Sequence, residues 1–345
     1  MQVTKRSVKN DWTLFTLEND RGMSLDVLDF GGVVTRLTVP DRHGKSENIV
    51  LAFDDIDDYK KNKPYFGALI GPVAGRIQQA MFTLGEKKIN LKPSEGRHEL
   101  HGGEAGYHQK LWNVESFQTD TEVGVVLQGS WNDRAYNYPG SVQVTVTYTL
   151  TNDNEWIIAY QAITDEMTPL TLTNHTYFNL TGDRTHSIAG HQVQMKSEGY
   201  LELDEELIPT GLIDSGNGGP FDFSRERLIK SGSGSGHKQN QVAGDGYDHY
   251  FLLKKGSAEQ VRVKEPTSGR VLSMETTQPG VVFYTGNGLN EDFVLSDGKK
   301  AKKHSGFCLE AQGPPASLHH KGLPSIWLKP GEEYKHQTVY RFSMD

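Results

Sequence analysis

Alternation of apolar and polar residues with a period of two runs through almost the whole chain, and this constrains the fold more than any other feature. From Val142 to Leu150 the residues Val142, Val144, Val146, Tyr148 and Leu150 alternate with Gln143, Thr145, Thr147 and Thr149. Successive side chains on a strand point to opposite faces, so this is a two-faced strand rich in β-branched residues. Shorter runs of the same kind recur at Trp12 to Leu17, Val33 to Val39, Val123 to Leu127, Trp156 to Ala162, Val261 to Val263, Val281 to Tyr284 and Tyr334 to Phe342. Turn signals separate them, among them Asn19-Asp20, Asp41-Arg42-His43-Gly44, Asn152-Asp153-Asn154 and Pro330-Gly331. Helical periodicity is nearly absent; only Asp54 to Lys61 and Glu206 to Ile208 read as helical turns. The pattern predicts an all-β protein of many antiparallel strands in large packed sheets.

The chain has 345 residues. At roughly 150 residues per domain that suggests two units, but all-β architectures often run to about 200 to 250 residues or more as one. No repeat and no composition shift marks a boundary. The Ser/Gly segments at 215–219 and 231–236 are too short to be linkers and read as surface excursions. A single domain over residues 1–345 is expected.

The net charge of -8, from 36 basic and 44 acidic residues, gives no electrostatic footprint for nucleic acid or an anionic membrane. The one cysteine, Cys308, has no partner for a disulfide, residues 1–12 lack the apolar run of a signal peptide, and no stretch approaches the roughly 18 apolar residues of a membrane helix. These features point to the cytoplasm and a small-molecule partner. The oligomeric state is open.

The stretch from Leu170 to Leu180 divides its residues sharply. Leu170, Leu172, Thr176, Phe178 and Leu180 fall on one side with Asn174; Thr171, Thr173, His175, Tyr177 and Asn179 fall on the other. The second face is too polar for hydrocarbon without partners and reads as the floor of a polar pocket. In Phe307 to Gln312, Phe307, Leu309 and Ala311 are expected to bury while Cys308, Glu310 and Gln312 share the opposite face. Pattern alone leaves Glu310 open between an ion-paired residue and a carboxylate with a shifted pKa, and His175 between a core histidine and a catalytic one. Asp248, in Gly246 to Phe251, shares a face with Tyr250, and its plainer role is to turn the chain at a strand start.

Two motifs are rejected. The glycine-flanked Gly71 to Ile77 is followed by no strand-to-helix pattern and is no nucleotide cradle. His98 and His101 are spaced three apart, face opposite ways on a strand, and form no metal set. No metal and no cofactor is expected.

Taken together, Gly71 to Ile77, Leu100-His101-Gly102-Gly103 with Trp112, Asn174 to Leu180, Tyr247-Asp248-His249, Tyr284-Thr285-Gly286-Asn287 and Leu309-Glu310-Ala311-Gln312 resemble, in this order, the aldose 1-epimerase (galactose mutarotase) family. The motifs span essentially the whole chain. The resemblance implies a twisted β-supersandwich with a shallow sugar pocket, and interconversion of the α and β anomers of an aldose. It implies His175 as general acid and Glu310 as general base, with Arg76, His101, Asp248, Tyr177 and Gln312 binding substrate. For Tyr177, Trp112 and Phe283 a core role stands beside sugar stacking, and Asn179 is expected to hold local backbone.

An imidazole of pKa about 6.5 is only about a quarter charged at pH 7, so His175 would need Glu310 or Asp248 to raise it. On that expectation the rate falls at high pH as His175 deprotonates and at low pH as Glu310 protonates. Two residues depart from the commoner family pattern: Gly75 stands where an Asn usually precedes the arginine, and Val282 where some relatives carry glutamine. They put the choice among galactose, glucose, xylose and arabinose in doubt. Alternatives are a hexose-phosphate epimerase, which would need cations beyond Arg76, a glycoside hydrolase using Asp248 and Glu310, and a non-catalytic sugar-binding protein.

Overall fold

The computed structural model describes all 345 residues, Met1–Asp345. Three sheets carry the architecture. The chain first makes a five-stranded meander of Gln2–Ser7, Thr13–Glu18, Ser24–Leu28, Val34–Pro40 and Ser46–Asn48. A nine-stranded sheet follows the order Asn113–Gln118, Glu122–Asn132, Ser141–Thr151, Glu155–Thr164, Tyr334–Met344, Arg270–Thr276, Val261–Lys264, Gln192–Met195 and Arg227–Leu228. A second five-stranded sheet runs Pro209–Asp214, Ser197–Leu203, Asp248–Leu253, Gly280–Tyr284 and Cys308–Gln312. Neighbouring strands in these sheets are antiparallel.

Alternation places the core as expected. Val142, Val144, Val146, Tyr148 and Leu150 are buried in a cluster of 51 residues that draws side chains from all three sheets. Burying each Val or Leu contributes about 1.5–3 kcal/mol, so the layers are held chiefly by these inner faces. All eight sequence-predicted strands are present, several extended by one to five residues at an end. The turn at Ile56–Lys60 is a 3-10 helix capped by Asp55. Glu206 to Ile208, by contrast, is a turn with Leu207 at φ 60, and the one α-helix, Lys238–Val242, is too short to leave a periodic signal. Both Ser/Gly segments lie at the surface, exposed at 217–218 and 234–236.

The segment 170–180 is not one strand. Only Thr173–His175 pairs, with Ala68–Ile70. The rest threads between layers through isolated pairings of Thr171 with Val73 and of Phe178 with Val50 and Phe307. The apolar side still enters the main core through Leu170, Leu172, Phe178 and Leu180. The polar side divides: Thr171 exchanges hydrogen bonds with the backbone of Gly313, and Asn179 donates to the carbonyls of His186 and Ser305. Of that row, His175 and Tyr177 line the main cavity. No helix is long and apolar enough to cross a membrane.

Candidate active site

The cavity, of about 490 Å³, lies over one face of the second five-stranded sheet, and all seven residues singled out above line it. Strand register delivers three of them. In Cys308–Gln312, Leu309 and Ala311 pack into the core, which turns Glu310 and Gln312 to the cavity. Asp248 begins the strand two positions away, paired with Tyr284, which is itself paired with Cys308. Arg76 comes from a two-residue strand paired with Glu99–Leu100, and this pairing brings His101 alongside.

His175 Nε2 lies 3.5 Å from Glu310 Oε1, and the residues are 4% and 2% exposed. Burial lowers the His175 pKa to about 3. Burial, followed by the charge of Asp248, raises Glu310 well above the usual carboxylate range, with Arg76 acting against it. The sequence-based expectation that Asp248 would help charge His175 is therefore corrected. Asp248 pairs with Arg76, Oδ2 to Nη1 at 3.5 Å, and its field falls on Glu310. Burial of both groups favours one shared proton, on the carboxyl, over two separated charges.

On its other side His175 Nδ1 contacts Cys308 Sγ at 3.5 Å, and burial keeps that thiol protonated. His101, buried and held neutral by desolvation, accepts the Gly75 backbone N–H at Nδ1, 3.1 Å away. A neutral imidazole whose Nδ1 accepts carries its hydrogen on Nε2, so His101 presents a fixed donor. Tyr65 packs on both rings, its centroid 4.7 Å from His101 and 5.7 Å from His175.

His101, His175 and Glu310 bring donor atoms within 4.8 Å of one another, a convergence that sequence spacing did not suggest. Their chemistry does not suit a metal. His101 would have to give up the Gly75 hydrogen bond or its Nε2 hydrogen to become a ligand. His98 stands apart, with Nδ1 accepting from Gln79 N–H and Nε2 3.6 Å from Glu206.

Tyr177 lines the cavity, but its hydroxyl is already spent on the Pro64 carbonyl at 2.9 Å, leaving its ring face to the site. Gln312 donates to the Ala74 carbonyl and has a buried, unpartnered Oε1. Trp112 and Phe283 belong to the core and do not line the cavity. At Gly75, φ is 89 and a Cβ would stand 2.9 Å from Pro315 Cγ, so in this chain that space belongs to proline and only the glycine backbone serves the site. Sequence reasoning missed Glu95, which lines the cavity and forks onto Arg76. It sits in an irregular turn that leaves no pattern. Tyr284 opens the Tyr284 to Asn287 motif, which gave it no role, and Tyr65 is a further lining residue.

This is the fold of galactose mutarotase-like proteins. Solved relatives are the GalM/aldose epimerase homologue from C. elegans, at TM-score 0.88 and 29% identity over 96% of this chain and 98% of that one, and galactose 1-epimerase from Lactobacillus acidophilus, at TM-score 0.88 and 28% identity over 99% and 98%. The family model described as Aldose 1-epimerase matches residues 13–341. Galactose mutarotase of Bos taurus is 40% identical over 333 residues, covering 96% of this chain and 94% of that protein. Aldose 1-epimerase of Escherichia coli K12 is 33% identical over 337 residues, covering 96% and 95%. The chain belongs to the aldose 1-epimerase family.

Proposed function

We propose that this protein is an isomerase that interconverts the α and β anomers of free aldohexoses, galactose and glucose among them, with Glu310 and His175 as its acid/base pair. The observation that carries this reading is the buried contact of His175 Nε2 with Glu310 Oε1, at 3.5 Å, on the wall of an open cavity. Ring opening removes the proton from the C1 hydroxyl, breaks the C1–O5 bond and delivers a proton to O5. A carboxylate and an imidazolium side by side supply both transfers. Rotation about C1–C2 of the aldehyde and closure with the roles reversed give the other anomer and restore both groups. No electron leaves the sugar and no covalent intermediate forms.

The proton count makes this compatible with a site that rests with its proton on Glu310. Carboxylic acid plus imidazole, and carboxylate plus imidazolium, contain the same single proton. Sugar hydroxyls entering the cavity replace lost solvation and favour the charged arrangement. His101, with its fixed Nε2–H, Arg76, Asp248 and the free Oε1 of Gln312 are the groups assigned to sugar hydroxyls, and Tyr177 contributes ring surface.

The same reading treats residues 1–345 as one mutarotase-like domain, supported by the shared core of 51 residues, and a cytoplasmic location, supported by a single buried cysteine that forms no disulfide. Phosphorylated sugars are disfavoured. Lys63 at the rim is the other cation lining the cavity, Arg76 is already bound by two carboxylates, and a dianion would face Glu95 and Asp248.

Polarimetry on freshly dissolved α-D-galactose and α-D-glucose tests the reading. Native protein accelerates the approach to rotational equilibrium, and Glu310→Gln and His175→Asn each lose about 100- to 10,000-fold of that acceleration. Native-like rates in both variants would sink it.

A further inference from the structure

Glu95 lies outside every motif, yet it holds the most constrained cation of the site. Its carboxylate takes Arg76 in a fork, Nε to Oε2 at 2.5 Å and Nη2 to Oε1 at 3.0 Å, while Nη1 faces Asp248 at 3.5 Å. The guanidinium, with its side chain 17% exposed, is thus suspended between two carboxylates. Such a two-point contact sets orientation as well as charge. Glu95 is itself fixed. The amides of Ser94 and Glu95 both donate to the His98 carbonyl, His98 N–H returns a bond to the Glu95 carbonyl, and Gly96 supplies φ 57 for the turn.

We propose that Glu95 is a positioning residue of the anomerisation reaction: it clamps Arg76 and limits how much of the guanidinium charge reaches Asp248 and Glu310. This rests on the reading of Glu310 and His175 given above. Asp248, whose own pKa burial raises and Arg76 lowers, drives the Glu310 proton on through its charge, while Arg76 drives it off. Glu95 opposes Arg76 and so keeps the proton on the pair. The other ionisable groups against Glu310 are His175, which burial keeps neutral, and Cys308, Tyr177 and Tyr340, all pushed up by burial. Around Arg76 and Glu95 stand Tyr65, Tyr284 and His101, and none of these carries charge at neutral pH.

Losing the Glu95 charge exposes Glu310 to more of the Arg76 field, and its proton leaves at lower pH. That step bounds the active, singly protonated pair on the alkaline side. For Glu95→Gln the expected result is a KM raised about 3- to 10-fold, as for a mislaid hydrogen bond of ordinary strength. The alkaline limb of the kcat/KM profile should fall by about half a pH unit or more. Glu95→Asp, which keeps the charge and shortens the reach, should raise KM but leave the limb within about 0.2 unit of native. A Glu95 that only supports the loop would move neither limb. An unmoved alkaline limb in E95Q, measured where E310Q is inactive, overturns the proposal whatever KM does. An active E310Q overturns the underlying reading instead.

Discussion

His175 and Glu310 face each other at 3.5 Å with almost no solvent on either, and burial pushes their proton affinities in opposite directions. This reverses the assignment of pH limbs that unperturbed values suggest. On the proposed mechanism the active state holds one proton on the pair. The second proton enters only when His175 protonates, near pH 3, and the single proton leaves only when Glu310 ionises, well above the usual carboxylate range. The two apparent values belong to the coupled pair.

A pH profile of anomerisation is accordingly expected to be a broad bell. Its acid limb lies below the ordinary histidine range and its alkaline limb above the ordinary carboxylate range. Polarimetric rates from pH 3.5 to 9 check this, because the rate should hold at pH 5, where an unperturbed histidine would already have taken up its proton. An acid limb centred near 6.5 would show that His175 is not desolvated in the working enzyme.

The donor set at His101, His175 and Glu310 predicts independence from metals. With His101 Nδ1 accepting from Gly75, its Nε2 carries hydrogen and cannot ligate. Dialysis against a strong chelator should leave the rate unchanged. A loss that added zinc restores would contradict the tautomer derived from this hydrogen bond.

How far these features could be read beforehand depended on whether they repeat. Alternation is periodic, so Val142 to Leu150 and the burial of Leu309 and Ala311 were visible, and with them the facing of Glu310 into the site. The residues of 170–180 kept their alternation of sides although only three of them form a strand, because their backbone bonds go to other layers. What could not be read was set by contacts between distant irregular segments. Glu95 meets Arg76 across 19 positions through a turn. His101 takes its Nε2 hydrogen from a bond to the Gly75 backbone, which no pattern encodes. The direction of the His175 shift depends on complete burial, which a polar face had not suggested.

Arg270 is fully buried, and it ties the layers together at the end of segment 170–180. Its guanidinium donates to the carbonyls of Val39, Leu180 and Lys45 and pairs with Glu47 at 3.0 Å. Arg270→Ala would take the guanidinium from the carbonyls of Val39 and Lys45, whereas the Leu180 carbonyl keeps Ser268 and Glu47 keeps Lys45. The expected cost is about 2–4 kcal/mol, the penalty of leaving buried carbonyls unsatisfied, read as a lower urea midpoint with an unchanged slope. A midpoint shift of less than about 1 kcal/mol equivalent would mean that water replaces the guanidinium freely.

Glu99 gives the fold its own pH dependence. It is 1% exposed, its Oε1 accepts from Tyr138 OH at 2.9 Å, and its Oε2 has no partner. Desolvation raises its pKa to about 8, against 4.5 when unperturbed. Because the folded value is the higher one, the folded state binds the proton more tightly. The stabilisation is complete below about pH 4.5, and it is lost as pH rises towards 8. At about 1.4 kcal/mol per pH unit the full decline is on the order of several kcal/mol. Glu99→Gln retains a neutral group of the same shape that still accepts from Tyr138. The variant should match native stability near pH 4 and exceed it increasingly up to pH 8. Urea titrations at pH 4.5, 6 and 8 decide the matter: parallel stability curves for the two proteins would show that Glu99 is ionised in the fold, with its unpartnered oxygen solvated after all.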